Sequence, residues 1–346
     1  MTAMSLQATR TQETQAIRPR QKFEGHTDWV MGITHLPGGQ RMMTCSYDGS
    51  LRVWNSQSGK QIGNNWRNGE GGVNAIALSP DGTKVVCGTN DSEVLLWNID
   101  NEKIIWTGQH AGDIECVCWN RDGGRVVSGS SDGTARVWDV ESGKTVLEIE
   151  TGLTYVEAMI CSPDTTMIAV GGYESDDSDE FLNIRDANTG KFITHLKGHT
   201  WTVDCLAWTG DGKTLISGSR DFSIRTWNTT TWQQINVLTG HRNGVRGIAL
   251  SPNGRILASA SWDQTAQLWD LENSQPIGTP LQHPDFVECV SFSTDGKLLA
   301  TGCSGGNAYS WDIAPIVRAA GLDELLLSTN VSCHFLIPPY QLNTLS

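Results

Sequence analysis

Four times along this chain a histidine is followed at fixed offsets by a hydroxyl, a carboxylate and an indole. The sets are His26, Thr44, Asp48 and Trp54; His110, Ser128, Asp132 and Trp138; His199, Ser217, Asp221 and Trp227; and His241, Ser259, Asp263 and Trp269. A hydroxyl, an imidazole and a carboxylate are the parts of a nucleophilic triad, in which the carboxylate orients the imidazole and the imidazole takes the hydroxyl proton. The same groups also close into a purely structural chain. The carboxylate fixes the histidine tautomer, the other ring nitrogen meets the hydroxyl, and the hydroxyl accepts from the indole N–H. Repetition decides between the two readings. A catalyst needs one such constellation in a cleft, not four copies at regular spacing. The structural reading is preferred, no catalytic residue is assigned, and the chain is read as a non-enzyme.

Two other motifs fail on context. Gly129-Ser130-Ser131-Asp132-Gly133 matches the G-x-S-x-G elbow, but that motif needs a strand–turn–helix setting and here falls in a hairpin turn. Gly143-Lys144-Thr145 resembles the end of a phosphate loop, but Trp138 stands where the first glycine belongs. Of nine cysteines, Cys116, Cys205 and Cys289 share one repeat position and read as small core side chains. Cys116-x-Cys118 has no second pair at zinc spacing. Neither a metal nor a cofactor is implied.

The elements that carry these residues are short strands. Trp54, Trp97, Trp138, Trp227, Trp269 and Trp311 each precede Asn or Asp, at steps of 43, 41, 89, 42 and 42. The step of 89 hides one member, and residues 183–190 fill it, with Arg185 in place of Trp. Between the anchors, runs such as 203–208, 214–218 and 223–227 are separated by turn signals such as Gly210-Asp211-Gly212-Lys213. Four strands in a unit of about 42 residues, repeated seven times, are the signature of a propeller blade.

On these anchors the chain resembles the WD40-repeat family over residues 19–314. Repeat 2 departs from the pattern with Gly69 and Cys87, repeat 7 with Gly305, and repeat 4 lacks all four anchors. The resemblance implies an all-β, seven-bladed propeller with four antiparallel strands per blade. It also implies that residues 20–24 close the ring as the outer strand of the last blade, paired with residues 307–311. Residues 1–18 are expected to be a flexible segment. Residues 315–346 are expected to be a tail, with a short helix possible within 313–327.

In related propellers, including the G-protein β subunit, partners are met at the top mouth of the central channel. Alignment of the inner strands puts Met31, Asn74, Glu115, Glu157, Asp204, Arg246 and Glu288 at one such position. Trp29, Gly72, Asp113, Tyr155, Thr202, Gly244 and Phe286 fall at a second, and Tyr47, Asn90, Ser131, Arg220 and Trp262 lie beside the turn. By that alignment Glu115, Glu157, Asp204 and Glu288 form a partial carboxylate ring interrupted by Arg246. The site residues expected to bind a partner are Trp29, Met31, Tyr47, Asp113, Glu115, Tyr155, Glu157, Asp204, Arg220, Arg246, Trp262, Phe286 and Glu288, large aromatics and Arg being common hot spots. The position holding the ring is acidic rather than aromatic, which disfavours a methylated-residue cage. Residues 174–180 carry five acidic side chains in an insertion of about five residues. A solvated loop is the preferred reading of it; the sharper one joins it to the ring.

A formal net charge of −13 disfavours nucleic acid and anionic membranes, which need clustered Lys and Arg. No apolar run reaches membrane-spanning length, and residues 1–20 lack a secretory apolar core. The expectation is an intracellular scaffold or adaptor, cytoplasmic or nuclear. Its expected partners are other proteins or peptides, with a basic segment as the favoured chemistry.

Overall fold

The computed structural model describes residues 17–175 and 181–327. Most of the expected flexible N-terminal segment, residues 176–180 of the acidic insertion and residues 328–346 of the tail lie outside the described residues. Seven four-stranded antiparallel sheets follow one another along the chain. In six of them the strands pair in sequence order. The seventh joins the last three strands of the chain to Gln21–Glu24, in the register Gln21 to Ser310, Lys22 to Tyr309, Phe23 to Ala308 and Glu24 to Asn307. The chain is a seven-bladed β-propeller closed by its N-terminal strand.

The strand sequences explain this arrangement. A blade's middle strands are covered on both faces by its neighbours, so they read as continuous buried runs rather than alternating ones. Ile256–Ser261 and Thr265–Asp270 are buried along their whole length. Outer strands such as Lys103–Gln109 are largely solvent-facing, with charge and polarity blunting a free edge. Seven apolar clusters follow, one at each seam between blades. The seam between the last and first blades is filled by Phe23, Val30, Met42, Trp54 and Ala308.

The four repeated sets lie inside their blades as hydrogen-bonded chains. His26 Nδ1 is 2.8 Å from the Asp48 carboxylate and its Nε2 is 2.7 Å from Thr44 Oγ1, which accepts from Trp54 Nε1 at 2.8 Å. His199–Asp221 and His241–Asp263 repeat the 2.8 Å contact. His110 and Asp132 stand at 3.4 Å. Burial opposes ionisation of Asp48, but bonds from His26 and Ser50 outweigh it and hold the carboxyl below its usual range. Burial pushes His26 and His199 down, against the raising effect of their carboxylates. The neutral imidazole then donates from Nδ1 and accepts at Nε2.

Departures from the pattern have local remedies. In blade 7, where Gly305 replaces the carboxylate, His283 Nδ1 turns to the Leu281 carbonyl at 2.9 Å. In blade 4, Arg185 stands at the tryptophan position, bonds Asn183 and the Thr151 carbonyl, and lies over Phe192. In blade 2, Cys87 replaces the hydroxyl, and its sulfur is only a weak partner for the buried Trp97 Nε1. Removing an N–H that meets only a sulfur costs less than breaking its bond to a hydroxyl oxygen. Trp269→Phe is therefore expected to destabilise the protein by about 1–2 kcal/mol more than Trp97→Phe, measured by urea unfolding.

After the last strand the chain forms helix α1 (Ile313–Ala319) and a 3-10 turn at Asp323–Leu326. Ile313, Ile316, Val317 and Leu325 join the cluster between blades 6 and 7, and Ile17 packs against the same cluster. Asn253 and Arg255 hold the turn through its carbonyls. Among the described residues no helix is long and apolar enough to cross a membrane, which leaves β-barrel spans untouched.

Candidate interaction face at the channel mouth

One backbone irregularity recurs in every blade. Pairing of the inner strand with its neighbour shifts register between Val30 and Gly32, Val73 and Ala75, Ile114 and Cys116, Val156 and Ala158, Val203 and Cys205, Val245 and Gly247, and Val287 and Cys289. The extra residue of each β-bulge is Met31, Asn74, Glu115, Glu157, Asp204, Arg246 or Glu288. A bulge leaves one residue unpaired and re-aims its side chain. The small residues that follow allow this close approach: a Cβ on Gly247 would come within 3.1 Å of the Glu288 carbonyl.

Contacts across blades 4 to 7 show that four of these side chains converge. Arg246 lies 2.6 Å from Asp204 and 3.3 Å from Glu288. Arg220, from the blade 5 turn, bonds Asp204 and reaches Glu157 at 3.0 Å. Trp262 donates from Nε1 to the Glu288 carboxylate at 3.0 Å, and the guanidinium groups of Arg220 and Arg246 both lie over its ring, at 5.4 and 5.0 Å. Asp204 and Glu288 are buried. The carboxylates of blades 4, 5 and 7 are therefore knitted together by two arginines rather than standing as a free anionic ring. Arg246 does not interrupt the ring; it bridges two of its members.

The half of the mouth on blades 1 to 3 is different. Glu115 has no hydrogen bond or ion pair among the described residues. Burial, then the nearby Glu157 and Asp113, push its carboxyl up to about 7. Burial also raises Glu157 and Glu288, against the pull of the arginines. Asn74 is buried with its Oδ1 unpartnered. Tyr47 feels burial and the Glu115 charge, which push its hydroxyl up to about 12. Tyr47 stacks on Trp29 at 5.9 Å, and Tyr155 stacks on Tyr173 at the same distance. Phe286 lies beside Trp262 and is exposed. Met31 packs into the seam between blades 1 and 2. In the insertion, Glu174 accepts from Thr154 and the Ser175 N–H, and so is held locally.

Two surface aromatics of blade 5 escaped the sequence reading. Trp201 is 50% exposed and Phe222 is 42% exposed, on the same side as Arg220. Phe222 has φ +72°, at the turn position that Gly49, Gly133 and Gly306 fill in other blades. A bulky residue in that left-handed region is strained by about 1 kcal/mol or more. A phenylalanine in place of the repeat's glycine was the signal.

Comparison with known proteins agrees with this geometry. The family description "WD domain, G-beta repeat" matches residues 17–55, 190–228, 232–270 and 274–312. A second, "Anaphase-promoting complex subunit 4 WD40 domain", matches residues 76–163. The chain is similar to small ribosomal subunit protein RACK1 of Drosophila melanogaster, with 33% identity over 28% of this chain and 30% of the relative. It is 28% identical to striatin of Mus musculus, over 59% of this chain and 22% of striatin. With cross-pathway control WD-repeat protein 2 of Flammulina velutipes it shares 27% identity, over 61% and 55%. The matches thus span from about a fifth to about half of these relatives' lengths. Seven sequential four-stranded blades, the repeated His–hydroxyl–Asp–Trp chains and the matched repeats have one explanation: the chain belongs to the WD40-repeat family.

Proposed function

We propose that this protein is a non-catalytic binding platform whose top face receives a basic segment of a partner protein, over the Glu115 side of the channel mouth. WD-repeat proteins such as RACK1 and striatin are typically interaction scaffolds, which supports the general class. One observation carries the finer reading. The bulged side chains of blades 4 to 7 converge at one opening, yet ion pairs form on only one side of it. Arg220 and Arg246 form ion pairs with three carboxylates, while Glu115 feels their charge without an ion pair of its own and Asn74 Oδ1 has no donor among the described residues. A lysine or arginine brings both a positive charge and N–H donors. Trp29, Tyr47, Tyr155 and Phe286 flank the opening as apolar anchors. Its place of action would be the cytoplasm or nucleus.

Short Lys/Arg-rich peptides provide the test, by fluorescence anisotropy. A bound cation favours ionised Glu115, so binding is coupled to loss of its proton. Affinity is expected to rise about tenfold between about pH 6 and pH 8. Glu115→Gln is expected to abolish that pH dependence and lower affinity at pH 8 about tenfold or more. Equal binding by wild type and Glu115→Gln at pH 8 would reject the reading.

A further inference from the structure

The seam between blades 3 and 4 carries a feature on its other side that partner binding does not use. Cys118, on the inner strand Ile114–Trp119 of blade 3, and Cys161, at the end of Tyr155–Cys161 in blade 4, place their sulfurs 3.9 Å apart. Both are partly exposed, whereas Cys45, Cys87, Cys205, Cys289 and Cys303 are buried. Cys161 also lines a cavity of about 190 Å³, with Asn120, Asp122, Arg125, Thr165 and Asn188. We propose that Cys118 and Cys161 are a redox-modification site: a small-molecule disulfide of the glutathione type meets Cys161 at the mouth of this cavity and converts the pair to a reversible inter-blade disulfide.

The place suits a staple. Blade 4 is the blade with none of the four anchors. At the top of the same seam Glu115 and Glu157 sit near each other, and each carboxyl is pushed up partly by carboxylate neighbours. A bond between residues 43 apart in sequence restricts the unfolded chain and ties the seam that lacks internal hydrogen-bonded chains on one side. The sulfurs must approach by only about 2 Å to reach bonding distance.

The chemistry runs in two exchanges. Cys161, facing the cavity, loses its proton, and the thiolate attacks one sulfur of glutathione disulfide. A Cys161–glutathione mixed disulfide forms and one glutathione thiolate leaves, taking up a proton. Cys118 then loses its proton and attacks the Cys161 sulfur, and the second glutathione leaves as its thiol. The two protein thiols give up two electrons and two protons; one glutathione disulfide becomes two glutathione thiols. Contact with Cys118, and then burial, raise the Cys161 thiol, so at neutral pH the thiolate is scarce. The reaction is therefore slow at neutral pH and accelerates as pH rises.

The test incubates the full chain in glutathione redox buffers, alkylates free thiols and maps peptides by mass spectrometry. Cys116 and Cys118 share a tryptic peptide, so fragmentation must assign the bond. Expected are a Cys118–Cys161 cross-link, its reversal by dithiothreitol and a Tm raised by about 3–5 °C. Cys118→Ala should stop at the mixed disulfide on Cys161, and Cys161→Ala should show no rise. If either variant misfolds, mapping of the wild type alone decides. A stable glutathione adduct on Cys161 with Cys118 free, a bond at Cys116, no bond, or a bond without a rise in Tm would each overturn the staple.

Discussion

A chain lacking residues 1–24 is expected to lose about 4–6 kcal/mol of stability, a large part of what an ordinary domain possesses. The strand removed is short, but what it covers is not. Phe23 is 1% exposed and packs edge-on against Trp54 at 6.0 Å, in the cluster that joins the last blade to the first. Its side chain alone accounts for about 3–5 kcal/mol on deletion. The ladder to Asn307–Asp312 is lost with it, and that strand becomes a free edge whose N–H and C=O groups invite pairing with another chain. The exposed Arg20–Asp312 pair adds little. Urea unfolding should show the fall in midpoint, and size-exclusion chromatography should show association of the truncated chain. Phe23→Ala should reproduce most of the loss without opening the edge. An unchanged midpoint would reject closure by this strand.

Glu115→Gln is expected to stabilise the fold, by roughly 1–3 kcal/mol at about pH 8. Its carboxyl lies at about 7 in the folded chain, against an ordinary 4.5. Between those values the folded state holds a proton that the unfolded state has released. The contribution of Glu115 to stability therefore falls as pH rises from 4.5 to 7 and stays low above that. Glutamine removes the charge and with it the cost, so the gain should be present at pH 8 and nearly absent at about pH 4. Urea midpoints of the two chains at both values check this. Equal midpoints at pH 8 would mean that the carboxyl pays no desolvation penalty. A gain in stability joined to a loss of peptide binding is the trade expected of a functional group kept in an unfavourable place.

Closure of the ring by residues 20–24 is what the family resemblance implies. The blades follow from the sequence because they rest on fixed offsets, 18, 4 and 6 residues from His26 to Trp54, repeated. The bulges do not, since a one-residue shift at Glu115 or Asp204 leaves no mark in residue type beyond the small side chain after it. Aligning the inner strands brought the channel-mouth residues into one column, but not their charge balance. Arg220 belongs to a turn, and only the fold shows it reaching Asp204 and Glu157. Blade 4 shows a similar limit. The absence of its tryptophan was plain, whereas the bonds of Arg185 to Asn183 and the Thr151 carbonyl depend on three-dimensional reach.

The most direct measurement is partner capture by the full chain with two paired variants. Tyr155→Ala with Phe286→Ala trims side chains 43% and 40% exposed beside the channel mouth; Val146→Ala with Ile235→Ala trims outer-strand side chains 53% and 48% exposed on the rim. Bound proteins are quantified by mass spectrometry against wild type. The expected result is a loss of about tenfold for the first pair and none for the second. Full capture by the first pair, with loss in the second, would contradict a platform that works through its top face.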